Sequence, residues 1–135
     1  MAYTPKALVA CCDCENRRVL VNLVTRCGLE PVIATGTRDA VSMLSSESVC
    51  VGFCQDDLPG EGFKAVLKAA QAVGVPVAVT SRLAEPGCYL ESMQLGAFDF
   101  ICLPYYYAEV AALAIAMAHK TPQPATSSAA NVRVA

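Results

Sequence analysis

Two carboxylates, Asp56 and Asp57, end an apolar run in VGFCQDDLPGEGF (51–63), and Leu-Pro-Gly-x-Gly follows at once. A carboxylate where a buried strand meets solvent can serve as nucleophile, general base or ligand for a hard metal ion. The residue at the lip itself is Gln55, a neutral amide and a far poorer nucleophile. A second group able to do chemistry lies in ACCDCE, where Cys11, Cys12 and Cys14 surround Asp13. With Cys54 these thiols would suit soft-metal binding or redox sensing, with Asp13, Cys12, Cys14 and Cys54 as the candidate ligands. Against this, Cys-Cys-x-Cys is not the Cys-x2-Cys spacing of zinc sites, and the only histidine, His119, is remote. Each group also has a plainer role. Buried cysteine is a small hydrophobe, Asp13 suits the N-cap of a helix beginning near Cys14, and Asp56 and Asp57 suit a turn before a helix.

These residues need elements to hold them. Short, Val-rich apolar runs at 7–12, 31–34, 49–54, 75–80 and 98–102 read as strands, and their near-continuous apolarity fits a parallel sheet covered on both faces. Helical periods separate them. Leu20, Leu23, Val24 and Cys27 form one stripe, closed by Gly28 at a C-cap position. Thr37 is expected to N-cap a second helix carrying Ala40, Val41 and Leu44 inward. Phe63, Val66, Leu67 and Ala70 make a third stripe ending near Gly74. Glu85-Pro86-Gly87 reads as turn chemistry, so the fourth helix is expected from near Cys88 to Gly96. The last spans 107–119 (YAEVAALAIAMAH). Such alternation implies right-handed crossovers and a five-stranded doubly wound parallel sheet in a three-layer α/β/α arrangement. Ligands then sit beyond the carboxyl ends of the strands, at the loops starting at Cys11–Cys14, Gln55–Asp57, Thr80–Arg82 and Leu103-Pro104.

A chain of 135 residues with 55% hydrophobic and 16% charged residues can bury a full core as one domain. Net charge is −2 and no basic run exceeds Arg17-Arg18, so no nucleic-acid footprint is visible. No apolar stretch approaches the roughly 20 residues of a membrane span, and the N-terminus lacks a secretory signal. The eight cysteines sit mostly inside apolar runs, which suits reduced thiols in a cytoplasmic protein. Residues 1–5 read as an N-terminal extension, 6–120 as the domain, and TPQPATSSAANVRVA at 121–135 as a disordered tail. No Gly-x-Gly-x-x-Gly follows the first strand, which argues against a dinucleotide enzyme.

Five βα units, Leu58-Pro59 with Gly62 after the third strand, Thr80 ending the fourth, and Phe100 followed by Pro104 resemble the receiver domain of two-component response regulators. The resemblance covers about residues 5–120 and implies the (βα)5 flavodoxin-like receiver fold. It also implies an acidic pair holding Mg²⁺, an Asp that accepts a phosphoryl group, and a Lys before the final proline. Those positions carry Cys11 and Cys12, Gln55 and Leu103. Thiols do not suit Mg²⁺, an amide scarcely attacks phosphorus, and leucine cannot pair with a phosphoryl group. Carboxylates clustered without a metal would repel one another, so the substitutions also remove a source of instability.

The expectation is a non-enzymatic, single-domain pseudo-receiver in two-component or phosphorelay signalling, acting by protein–protein contact and needing no cofactor. Cys11, Cys12, Asp13, Gln55, Asp56, Asp57, Thr80 and Leu103 form its degenerate phosphorylation pocket. Phe100, Pro104, Tyr105, Tyr106 and Tyr107 form its switch and contact face, since exposed aromatics favour interfaces. The implied partners are a histidine kinase, another response regulator, or a second copy through the last strand and helices. Two alternatives stand beside it: a receiver phosphorylated on Asp56 or Asp57 with Mg²⁺, and a thiol-based redox or soft-metal sensor.

Overall fold

The computed structural model describes residues 4–83 and 86–119. The expected tail at 121–135 and most of the N-terminal extension lie outside the described residues. Ten elements alternate strictly: β1 (Lys6–Ala10), α1 (Cys14–Arg26), β2 (Glu30–Ala34), α2 (Thr37–Ser46), β3 (Val49–Gln55), α3 (Phe63–Val73), β4 (Val77–Ser81), α4 (Pro86–Gln94), β5 (Asp99–Cys102) and α5 (Tyr107–Ala118). The strands form one five-stranded parallel sheet in the order β2-β1-β3-β4-β5, the flavodoxin-like doubly wound arrangement.

Two apolar layers cover the sheet. On one face Leu20, Leu23 and Val24 of α1 meet Val110, Leu113 and Met117 of α5 over Val9, Val51 and Phe53. On the other, Ala40 and Leu44 of α2 and Phe63, Val66 and Leu67 of α3 cover Leu8, Cys54 and Val79. Central strands β3 and β4 are almost wholly buried, whereas edge strands β2 and β5 are not, which is why their apolar runs are shorter. The order reverses between β1 and β3, so the loops after these two strands open on the crevice where such folds bind ligands.

Several boundaries and caps depart from expectation. β1 ends at Ala10, although the Cys11 N–H still donates to the Ala34 carbonyl at 3.0 Å, so only Cys12 leaves the ladder completely. β4 starts at Val77, not at 75, because Pro76 has no N–H to give and contributes only its carbonyl, to the Gly52 N–H at 2.9 Å. Gly36, not Thr37, is the N-cap of α2. Thr37 is instead buried and ties α2 to the β3–α3 loop: its hydroxyl donates to the Pro59 carbonyl at 2.9 Å and accepts the Gly62 N–H at 2.8 Å. Gly62 has φ of +87°, a conformation that side chains resist, so a glycine is what lets this N–H turn towards Thr37. The fourth helix begins at Pro86, two residues before Cys88, because proline's fixed φ suits a first helical position as well as a turn. α1 closes one residue before Gly28, which stands in the left-handed conformation just past the Cys27 cap.

Candidate functional site

β3 ends at Gln55, whose register partner on β4 is Thr80. The Gln55 side chain is 1% exposed, and its Oε1 accepts the Cys11 thiol at 2.9 Å. Its Nε2 has no hydrogen-bond partner among the described residues. Burial pushes the Cys11 thiol up to about 11, so at neutral pH it keeps the proton that it donates to Gln55. Beside them the Tyr105 hydroxyl donates to Thr80 Oγ1 at 3.0 Å, with both residues buried. Burial also raises the phenol of Tyr105, which therefore remains neutral. The crevice is thus filled by a thiol, an amide, a hydroxyl and a phenol, and none of the four carries charge at neutral pH.

The carboxylates lie around this set and point elsewhere. Asp13 caps α1, its Oδ2 accepting the Asn16 N–H at 2.9 Å. Asp56 is half-buried and faces β4 and α4, where its Oδ2 accepts the Ser81 hydroxyl at 2.7 Å and lies 3.6 Å from the Cys88 sulfur. Ser81 shares that hydroxyl with the Leu83 carbonyl at 2.6 Å. Asp57 is exposed and pairs with Arg82 at 3.2 Å. Leu103, half-buried, packs against the apolar cluster that includes Tyr105.

This donor set does not fit Mg²⁺. Cys11 and Cys12 occupy the positions of the implied acidic pair, Oε1 of Gln55 is engaged by Cys11, and Asp13 and Asp56 are committed to a cap and to Ser81. Nor do the cysteines converge. Cys11 belongs to the layer under α1 and α5, Cys54 to the opposite layer, and Cys14 is exposed at the start of α1. Among the described residues no group of three or more His, Cys, Asp or Glu is arranged to hold a metal ion.

The tyrosine run divides. Tyr105 was expected on the contact face, but it is buried, because its ring fills the layer under α5 while its hydroxyl reaches Thr80. Tyr106 and Tyr107 remain 63% and 40% exposed, and the Arg26 guanidinium lies 4.3 Å from the centre of the Tyr107 ring. Pro104 is exposed and Phe100 half-buried, the latter edge-on to Tyr89 of α4 at 5.7 Å. Sequence reasoning passed over Ser81 and Cys88. A Thr-Ser pair at a strand end places hydroxyls on opposite faces, and that signal could have found Ser81.

The unpartnered Nε2 gives a direct prediction. Gln55→Met keeps the length of the side chain and removes a buried donor left unsatisfied, while the Cys11 thiol, losing Oε1, keeps the Asp13 carbonyl at 3.7 Å as a weak acceptor. It is expected to stabilise the fold by about 1 kcal/mol, read as a higher denaturation midpoint at unchanged m-value.

With this geometry in view, comparison with solved structures is informative. The chain is similar to the receiver domain of Francisella response regulator 1452, at 21% identity over 84% of this chain and 96% of that one, with a TM-score of 0.74. A putative response regulator from Chloroflexus aurantiacus J-10-fl matches at 15% identity over 87% of this chain and all (100%) of that one, with a TM-score of 0.82. The receiver domain of NtrX from Brucella abortus matches at 18% identity over 86% of this chain and 100% of that one, with a TM-score of 0.79. No family model matches the chain, and no curated protein matches it in sequence. The fold is therefore that of response regulator receiver domains.

Proposed function

We propose that this chain is a pseudo-receiver: an atypical signalling module that works by protein–protein contact and takes no phosphoryl group. The observation that carries this reading is Gln55, a buried amide at the acceptor position, held by the Cys11 thiol. An amide cannot replace a carboxylate as the attacking oxygen, and a crevice lined by neutral groups offers nothing to offset the charge of a transferring phosphoryl. Asp56, the nearest candidate for rescue, is turned towards Ser81 and Cys88.

The contact face in this reading is the exposed pair Tyr106 and Tyr107, with Tyr89 and Leu90 of α4 beyond Phe100. Aromatic rings supply large contact area at little entropic cost. The partner is a signalling protein such as a histidine kinase or another response regulator, or a second copy of the chain. All eight cysteines are free thiols, which suits the reducing cytoplasm. No described helix is long and apolar enough to cross a membrane.

The test is intact mass after incubation with a small-molecule phosphodonor, with and without Mg²⁺, on the wild type and Asp56→Ala. The expected result is no added phosphoryl group under any condition. A Mg²⁺-dependent gain of one group, lost in Asp56→Ala, would overturn the proposal and make Asp56 a live acceptor.

A further inference from the structure

A groove of about 400 Å³ runs between α3 and the end of α4, lined by Glu61, Lys64, Ala65, Lys68 and Gln71 on one side and Leu95 on the other. Two bridges join its sides. Lys64 pairs with Glu91 of α4 at 2.6 Å, and the Gln71 amide lies against Gly96, where any side chain would collide with it. Gly96 also stands at φ of +97°, so backbone and packing both call for glycine there. Lys64 and Gln71 are two turns apart on α3, about 10 Å along its axis. That span is too short for a peptide running through, and the volume is that of a small-molecule site. Charge is not balanced along it. Glu91 answers Lys64, whereas the exposed Lys68, one turn on, has no ion-pair or hydrogen-bond partner among the described residues. The Gln71 amide makes no hydrogen bond among them either. Glu61, the remaining charge, lies at the other mouth, before the first turn of α3. Leu95 is 37% exposed and Ala65 half-buried, so an apolar wall faces the groove beside two unused donors.

We propose that this groove binds a small amphiphilic carboxylate, with its carboxylate at Lys68 and Gln71 and its apolar body on Ala65 and Leu95. One free ammonium matches one negative charge, and the two oxygens of a carboxylate accept from the ammonium and the amide N–H together. The bound anion also relieves Lys68 of facing Lys64, since like charges one turn apart on a helix repel. Glu61 disfavours the reverse orientation, which would bring the anion to its own carboxylate. Inorganic phosphate has no apolar body and carries more charge than Lys68 offsets, so it does not suit the site. The groove shares no residue with the crevice at Gln55 or with Tyr106 and Tyr107, and the proposal stands whether or not Asp56 accepts a phosphoryl group.

The test is a titration of the full chain followed by nuclear magnetic resonance of its backbone amides. The probe is 4-phenylbutyrate, and 4-phenylbutanamide is its neutral counterpart. The carboxylate is expected to give saturable shifts confined to 61–71 and 91–96, half-complete at about 1 mM. Binding should be about fivefold weaker for the amide, and about fivefold weaker for Lys68→Gln, the size of one exposed ion pair. Lys68→Gln removes an exposed, unpaired side chain, so resonances in β1 and β2 should stay in place. Were they to move, the neutral probe and Leu95→Ser still decide. Leu95→Ser should weaken both probes alike, and Arg38→Gln, at an exposed base elsewhere, should weaken neither. Inorganic phosphate should leave the groove unshifted. Shifts centred on other elements, no saturation by about 20 mM, equal affinity of amide and carboxylate, unweakened binding by Lys68→Gln or Leu95→Ser, or a phosphate effect of the same size would each overturn the proposal.

Discussion

Replacing Gln55 with aspartate is expected to make the fold lose stability as pH rises and to leave it unable to accept a phosphoryl group. The aspartate would stand in a crevice formed by Cys11, Thr80 and Tyr105, none of them cationic. Leu103 supplies no positive charge, and Asp13, which acts on Cys11, and the adjoining Asp56 are of the same sign. Desolvation and like charge both push the new carboxyl's pKa above its usual value of about 3.9. A group whose folded pKa is raised stabilises fully below the unfolded pKa and loses that contribution as pH climbs through the folded one. The variant should therefore approach wild-type stability near pH 4 and fall progressively behind it above pH 5. A shift of about 3 units corresponds to about 4 kcal/mol, a large share of the 5–15 kcal/mol typical of a domain. The wild type should show no such slope from this pocket. Cys11 begins to weaken it only above its ordinary 9.0, as pH rises towards about 11. Urea midpoints of both chains at pH 4.5 and pH 8 decide the matter. A variant as stable at pH 8 as at pH 4.5, or one rescued by Mg²⁺, would mean that the crevice still supports ionised oxygen.

The sheet and its order of elements were legible because they depend on signals local in sequence: Val-rich runs, helical stripes, and glycine at Gly28 and Gly74. That Cys11, Gln55 and Thr80 are neighbours was legible for a similar reason, since each lies at or directly past the end of one of three adjacent strands. What could not be read was direction. Asp56 follows Gln55 immediately, yet one side chain enters the crevice and the other leans to α4, because successive residues leaving a strand diverge. Thr37 looked like a cap because threonine commonly is one, but Pro59 and Gly62 offered its hydroxyl better partners from another loop. Tyr105 looked like its exposed neighbours until the backbone turned its ring under α5.

Phe53→Ala is expected to cost about 3–5 kcal/mol, read from the denaturation midpoint, because the site is continuous with the core it stands on. Phe53 is fully buried (0% exposed) on the central strand β3, in one apolar cluster with Val9, Leu20, Ile101, Val110, Met117 and Tyr105. Gln55 lies two residues further along the same strand and on the same face, so the ring of Phe53 leads directly to the crevice. Removing that ring leaves a cavity under the polar set, and the surrounding layer can collapse only partly because the sheet on one side and α1 and α5 on the other are rigid. Tyr106→Ala is the informative contrast. Its side chain is 63% exposed, so its loss should change stability by no more than about 0.5 kcal/mol. A small cost at Phe53 would mean that the crevice is loosely packed and free to admit a ligand. A large cost there with none at Tyr106 would place the polar crevice energetically inside the core and leave the tyrosine face as the surface whose residues are not needed for stability.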